Sequence, residues 1–181
     1  TPNTDDITFI LVARLLQEKG IVDFVNAARI VRAATTNTRF ILVGDFDTSP
    51  GGICKKQVNA WVNEGLVEWP GEVKDVYSWL TKSSVFVLPS YYREGVPRST
   101  QEALATGLPV ITTDSVGCRE TVIAGETGLL VPVRDSEALS EAMMYFIKNP
   151  SEIKRMGSAG RKLAEQKFDV HKINNKILNA M

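Results

Sequence analysis

Short apolar runs rich in β-branched residues alternate with stretches of helical periodicity along most of the chain. The runs predict strands at residues 7–12, 40–43, 66–69, 85–88, 110–113 and 129–131. Apolar side chains recurring every three or four positions predict helices at residues 21–34, 55–64, 76–82, 98–105 and 138–148. Unbroken apolar runs suit parallel strands covered on both faces. The pattern therefore predicts an α/β fold, a Rossmann-like doubly wound parallel sheet of about six strands with helices on both faces.

The last part of the chain differs, because after Pro150 only helix signals remain, at residues 152–167 and 170–178. No repeat or second domain is visible, so we interpret residues 1–181 as a single domain with a helical tail at 150–181. The chain starts with Thr and enters a strand within a few residues, so we expect a fragment of a longer protein. No apolar run approaches the roughly 20 residues that span a bilayer, and the start has no signal-peptide pattern.

The charges and the rare residues argue against several classes of function. The 21 Lys and Arg residues balance 21 Asp and Glu residues, which gives no sign of a nucleic-acid partner. Cys54 and Cys118 are far apart and are interpreted as reduced cytosolic thiols, with a single disulfide as the open alternative. No spacing predicts a metal site, and the lone His171 receives no catalytic role. The first β–α loop lacks the glycine pattern of dinucleotide-binding enzymes.

Two carboxylates follow the predicted fourth strand, Glu94 in a loop and Glu102 within the first two turns of a helix. Pro97 would take the first helical position, bringing both towards the cleft beyond the carboxyl end of the sheet, where ligands bind. Helix amides attract phosphate, whereas a carboxylate suits sugar hydroxyls, so the pair predicts a nucleotide sugar. Arg98 would add a cation there. Alternatively, Glu102 is an ordinary first-turn acid and Arg98 an ordinary solvated residue.

Two cations flank the first β–α loop, next to the point where the strand order of such a sheet reverses. Arg14 and Lys19 could hold a diphosphate there and stabilise its charge as it departs. In the alternative interpretation, Arg14 pairs with a helix acid and Lys19 is solvated or pairs with Glu18. Gly44 ends the second strand and allows a close approach by a ligand, with a tight turn as the equal alternative.

At these residues the chain resembles the C-terminal, donor-binding half of a GT-B glycosyltransferase of the retaining family 4, bacterial surface-polysaccharide type. The resemblance covers nearly the whole chain. Its motifs are V-A-R with K-G at residues 12–14 and 19–20, V-G-D at 43–45, E-x7-E-A at 94–103, G-L-P-V-I at 107–111 and G-E-T-G-L-L-V-P at 125–132. The loop at residues 46–52 is longer than in the wider family, and Pro97-Arg98 stands where small or apolar residues are common.

The resemblance implies a role for each matching residue. Arg14 and Lys19 would bind the donor diphosphate, and with Glu94, which would take the hydroxyls of the transferred sugar, they form the predicted catalytic set. Glu102 would take the ribose hydroxyls, and the backbone near Val73 would hold the base. The full predicted nucleotide-sugar-binding set is Gly44, Val73, Glu94, Gly95, Val96, Pro97, Arg98, Ser99 and Glu102, with the amides of Gly95 and Val96 near the phosphates and the sugar.

The implied activity is transfer of a hexose-type sugar with retention, without a metal or cofactor, from a nucleotide-diphosphate sugar, with a UDP-sugar as the favoured donor. The acceptor would be a glycan or polyprenyl-linked molecule bound by an N-terminal domain outside this chain, so the fragment should bind nucleotide without catalysing transfer. We expect a cytoplasmic location, with peripheral contact at the inner face of the cell membrane as an option for the full-length protein.

Other functions remain open on the residues. Another GT-B enzyme, such as a nucleotide-sugar epimerase, would use the same donor site, whereas a phosphorylase would need a lysine placed for pyridoxal phosphate. A non-catalytic nucleotide-binding module would keep the fold with a degenerate site. A response-regulator-like domain would need an acidic cluster after its first strand, and the sequence has none there.

Overall fold

A computed structural model describes residues 6–93 and 95–168 of the chain. Its strands are β1 Ile7–Val12, β2 Thr38–Val43, β3 Glu68–Gly71, β4 Val85–Leu88, β5 Val110–Thr113 and β6 Gly128–Val131. Its α-helices are α1 Ile21–Ala34, α2 Lys55–Asn63, α3 Val76–Thr81, α4 Arg98–Ala105, α5 Ser136–Lys148 and α6 Ser151–Lys167. Glu94, His171 and the helix predicted at 170–178 lie outside the described residues.

The six strands form one sheet in the order β3-β2-β1-β4-β5-β6, and every pair within it is parallel. The chain starts at β1, builds outward to β3, and returns to add β4 on the other side of β1. The strand order therefore reverses between β1 and β4, which is where doubly wound sheets open a crevice for ligands. The predicted fold class is confirmed.

Two apolar layers cover the sheet, one on each face. On one face, Phe9 and Phe40 stack with ring centroids 5.4 Å apart, beneath the buried sides of α1, α2 and α5. On the other face, alternate strand residues such as Ile10 and Phe86 pack against α3, α4 and α6. Successive side chains along a strand point to opposite faces of the sheet. Because both faces are covered, successive residues of each strand must be apolar. This double burial explains the continuous apolar runs in the sequence.

Three elements begin two residues away from their predicted start, each for a local reason. β2 begins at Thr38, because that residue pairs with Ile7 at the start of β1. β3 begins at Glu68, after Leu66 and Val67, which are buried in the apolar layer. α5 begins at Ser136, because the Asp135 carboxylate accepts a hydrogen bond from the amide of Ala138 (2.9 Å) and caps the helix.

The sequence analysis predicted Pro97 as the first helical residue, and this prediction is wrong. Its φ of −63° and ψ of 126° are extended, and α4 begins one residue later, at Arg98.

Over residues 6–93 and 95–168, no helix combines the length and the apolar character needed to cross a bilayer.

Candidate functional site

An open cavity of about 850 Å³ lies at the carboxyl ends of β1, β2 and β4. Its walls come from the loops after β1, β2 and β3 and from the first turn of α4. Eight residues of the predicted site line it: Arg14, Lys19, Gly44, Val73, Pro97, Arg98, Ser99 and Glu102. Gly95 and Val96 lie on the exposed loop before α4 and are not part of this lining. Residues far apart in sequence are thus brought together at the predicted crevice.

Close backbone packing at Gly44 and Gly20 holds the segments next to the cavity together. A Cβ at Gly44 would lie 1.8 Å from the carbonyl oxygen of Ala13, so only glycine lets the ends of β1 and β2 approach this closely. At Gly20, whose φ is 78°, a Cβ would lie 2.1 Å from the carbonyl oxygen of Pro89. The loop that carries Lys19 therefore packs directly on the end of β4.

The loops after β1 and β4 are joined through one backbone carbonyl. The carbonyl oxygen of Glu18 accepts hydrogen bonds from the Ser90 hydroxyl (3.0 Å) and from the amides of Tyr91 (2.9 Å) and Tyr92 (3.1 Å). The Ser90 side chain is fully buried, and its own carbonyl accepts a hydrogen bond from Thr113 in β5. These bonds fix the position of the next residue, Lys19, whose ammonium lies 5.6 Å from the ring centre of Tyr92.

Arg14 forms an ion pair that the sequence analysis did not identify. Its partner is Asp47 in the loop after β2, at 2.9 Å, rather than an acid on a helix. The Asp47 carboxylate also accepts hydrogen bonds from the amide of Ser49 (2.8 Å) and from its hydroxyl. The Ser49 hydrogen bonds, with a smaller contribution from Arg14, hold the pKa of Asp47 below its usual value. Asp47 is therefore ionised at neutral pH.

Glu102 lines the cavity from α4, one turn into the helix. Its carboxylate is 3.3 Å from the guanidinium of Arg98, and its side chain is 43% exposed, so it remains accessible to a ligand in the cavity. Cations and carboxylates thus line the same space from different elements. This arrangement suits a ligand that has both an anionic part and a hydroxylated part.

An aromatic pair supports the side of the cavity formed after β2 and β3. Phe46 packs against Trp69 with ring centroids 4.9 Å apart, and the Trp69 indole donates a hydrogen bond to the carbonyl of Gly44 (2.9 Å). Val73, in the loop after β3, also lines the cavity. The base-binding role predicted for that backbone stays a prediction.

The sequence analysis missed the loop after β2 as part of the cavity wall. Its lining residues are Phe46, Asp47, Thr48 and Ser49, and Glu72 joins them from the loop after β3. The unusual length of this loop was the available signal. Within the described ranges, no three His, Cys, Asp or Glu side chains gather in a way that could hold a metal ion.

Comparisons with known proteins agree with this architecture. A family model described as glycosyl transferases group 1 matches residues 1–163. CapM of Staphylococcus aureus, a capsular polysaccharide biosynthesis glycosyltransferase, is 30% identical over 164 residues, which cover 91% of this chain and 43% of CapM. The N,N'-diacetylbacillosaminyl-diphospho-undecaprenol alpha-1,3-N-acetylgalactosaminyltransferase of Campylobacter jejuni is 30% identical over 140 residues, 77% of this chain and 35% of that protein.

The fold also matches a solved structure over almost its whole length. HepE of Anabaena, crystallised in complex with UDP, superposes with a TM-score of 0.86 at 22% identity, over 97% of this chain and 48% of HepE. The chain spans about half or less of the length of each protein it matches. By its family model, its relatives and its sheet, the chain belongs to the glycosyl transferases of group 1.

Proposed function

We propose that this chain is the donor-binding half of a glycosyltransferase that uses a nucleotide-diphosphate sugar. The observation that carries the proposal is the joint placement of Arg14, Lys19 and Glu102 around one cavity at the strand-order reversal. A diphosphate needs cations, and ribose hydroxyls need acceptors such as a carboxylate. The cavity is lined by both.

The proposed roles follow the charges of these walls. Arg14 and Lys19 bind the diphosphate and offset the charge that develops on it as the sugar departs. Glu102 accepts hydrogen bonds from the ribose, and the backbone near Val73 holds the base. By family resemblance, Glu94 takes the hydroxyls of the transferred sugar, with the amides of Gly95 and Val96 close to it.

UDP is the favoured nucleotide. HepE, which shares the fold, has been crystallised with UDP and with UDP-glucose. The Campylobacter relative is named as a transferase of N-acetylgalactosamine to a lipid-diphosphate-linked acceptor. These properties belong to those proteins and support a UDP-linked hexose-type donor here.

The proposed reaction is transfer with retention of configuration and without a metal. The acceptor hydroxyl attacks the anomeric carbon from the face that the diphosphate leaves. The bond from that carbon to the diphosphate oxygen breaks, and a phosphate oxygen takes the proton of the hydroxyl. Nucleoside diphosphate leaves with the bonding electron pair, and Arg14 and Lys19 stabilise its charge.

The acceptor would bind to a further part of the full-length protein. Relatives such as CapM extend over more than twice the matched length. We propose a glycan or polyprenyl-linked acceptor held there, in the cytoplasm and at the inner face of the membrane, with this chain supplying only the donor.

Calorimetric titration with UDP, GDP and ADP, without metal and then with Mg²⁺, tests the donor site. We expect metal-independent binding of UDP, weakened about 10- to 100-fold in Glu102→Ala, because a hydrogen bond to a charged group contributes roughly 1.5–3 kcal/mol. Glu64→Ala is the control, because Glu64 pairs with Arg29 at 3.3 Å, away from the cavity. Equal UDP affinity in wild type and Glu102→Ala would contradict the ribose role.

An epimerase that uses the same donor site is the second candidate, because the cavity fits any nucleotide-sugar. With the full-length protein, release of nucleoside diphosphate only in the presence of an acceptor supports the transferase. Release or sugar conversion without an acceptor supports the epimerase.

A further inference from the structure

The contrast in exposure within the Arg14–Asp47 pair shows which partner is fixed. The Arg14 side chain is 72% exposed, whereas that of Asp47 is only 7% exposed. A long, exposed arginine samples many rotamers, and ordering it when a ligand binds costs conformational entropy. Building on the proposed diphosphate role of Arg14, we propose that Asp47 is a positioning residue that holds this guanidinium in place for the donor.

The Asp47 carboxylate divides its two oxygens between two tasks. Oδ1 accepts the amide and the hydroxyl of Ser49, and Oδ2 contacts Nη1 of Arg14. Arg14 thus uses one end of its guanidinium fork for Asp47. Its other N–H groups can turn to a phosphate, which arginine binds through several donors at once.

The loop that carries Asp47 is itself held by the loop after β1. The amide of Gln17 donates to the carbonyl of Gly51 (2.8 Å), and the amide of Ile53 donates to the carbonyl of Leu15 (2.8 Å). Gly52 closes the turn, because a Cβ there would lie 2.1 Å from the carbonyl oxygen of Asp47. The carboxylate is therefore fixed relative to the backbone from which Arg14 extends.

A fixed carboxylate has two opposing effects on an arriving diphosphate. It orders Arg14 beforehand, which favours binding, and it adds a negative charge nearby, which opposes binding. At about 0.3 M salt, the repulsion between Asp47 and a diphosphate several ångströms away is screened more strongly than the direct contact between Asp47 and Arg14. The ordering effect should then determine the measured affinity.

Calorimetric titration of the 181-residue chain with UDP at about 0.3 M salt tests the proposal. In Asp47→Asn, the amide oxygen can still accept from Ser49, while the amide group no longer pairs with Arg14. We expect about 10-fold weaker UDP binding. In an Arg14→Ala background, the same change should alter the affinity by less than about twofold, because coupled residues lose their interaction together.

Two further variants separate positioning from a general structural effect. Ser49→Ala keeps the charge of Asp47 and removes one of its hydrogen bonds, so a smaller loss of about two- to threefold is expected. Glu64→Gln removes an exposed ion pair with Arg29 (3.3 Å) and should leave UDP affinity unchanged. Should Asp47→Asn not fold, the Ser49→Ala affinity measured in both Arg14 backgrounds decides instead.

The outcomes distinguish this inference from the proposed function. UDP binding that is unchanged or tighter in Asp47→Asn, or a loss that persists fully in the Arg14→Ala background, overturns the positioning role alone. Failure of the wild-type chain to bind any of UDP, GDP and ADP overturns the donor site and the positioning role together.

Discussion

The ion pair between Arg98 and Glu102 is exposed on both sides, with 92% and 43% of the side chains accessible. Exposed pairs one helical turn apart contribute only about 0.3–0.5 kcal/mol. A ligand that brings hydroxyl groups to Glu102 can therefore open the pair at little cost. The same pair keeps a cation at the mouth of the cavity, where an anionic ligand would enter.

Loss of Arg14 or Lys19 should affect turnover far more than stability. In the full-length protein, we expect Arg14→Ala and Lys19→Ala each to lower the rate of the proposed sugar transfer about 10²- to 10³-fold. Each change removes a positive charge that would stabilise the leaving diphosphate. The free energy of unfolding should change by less than about 1 kcal/mol. Steady-state rates and urea denaturation measure the two effects.

Lys162→Ala, an exposed change on α6, is the control for that comparison. A transfer rate equal to that of the wild type in Arg14→Ala or in Lys19→Ala would show that this residue does not bind the diphosphate. A rate loss that matches the loss of folded protein would make its role structural.

The lowered pKa of Asp47 predicts how its contribution depends on pH. Because the folded-state pKa lies below the unfolded value of 3.8, the stabilisation is present above pH 3.8 and disappears as the pH falls through the folded-state pKa. Urea midpoints of wild type and Asp47→Asn should therefore differ by a constant amount from about pH 5 to 7. They should converge below about pH 4. A difference that grows towards low pH would contradict the assignment.

At the scale of elements, α6 is held against α4 by glycines that permit close contact. A Cβ at Gly157 would lie 2.1 Å from the carbonyl oxygen of Gly107, just after α4. We expect Gly157→Ala to lower the free energy of unfolding by about 2 kcal/mol, because the contact is with backbone that cannot move aside easily.

Ser158→Ala, at the next and exposed position of α6, provides the control, and urea denaturation measures both variants. Alanine is the better helix former at either site, so helix propensity alone would make both changes stabilising. A stabilised Gly157→Ala would show that α6 does not pack as closely as the structure has it.

Among the strands, those that were predicted best are buried on both faces. β1, β4 and β5 have the predicted bounds, because uninterrupted apolar residues lie between two covered faces. β6 begins one residue early, at Gly128, where a Cβ would lie 1.9 Å from the carbonyl oxygen of Val110. Such a start depends on the neighbouring strand, which a single run of residues cannot reveal.

At the scale of the whole molecule, topology could be predicted because alternating strands and helices allow few arrangements of a parallel sheet. The cavity walls from β1 and α4 were predicted with it, since motifs at strand ends must meet at one edge. The part of Asp47 in the cavity wall was not predicted, because its partner Arg14 comes from another loop and the pairing depends on turns at Gly51 and Gly52. Long-range pairs between loops leave no periodic signal.

The carbonyl of Glu18 accepts a hydrogen bond from the Ser90 hydroxyl, although the two residues are 72 positions apart in the chain. The loops that form two walls of the cavity are therefore joined only when β4 is paired with β1. The proposed nucleotide binding would then require the paired β1 and β4, and not a smaller folding unit. Titration of nucleotide during refolding would report the arrival of β4, and bound nucleotide would protect the chain against opening along the seam between β1 and β4.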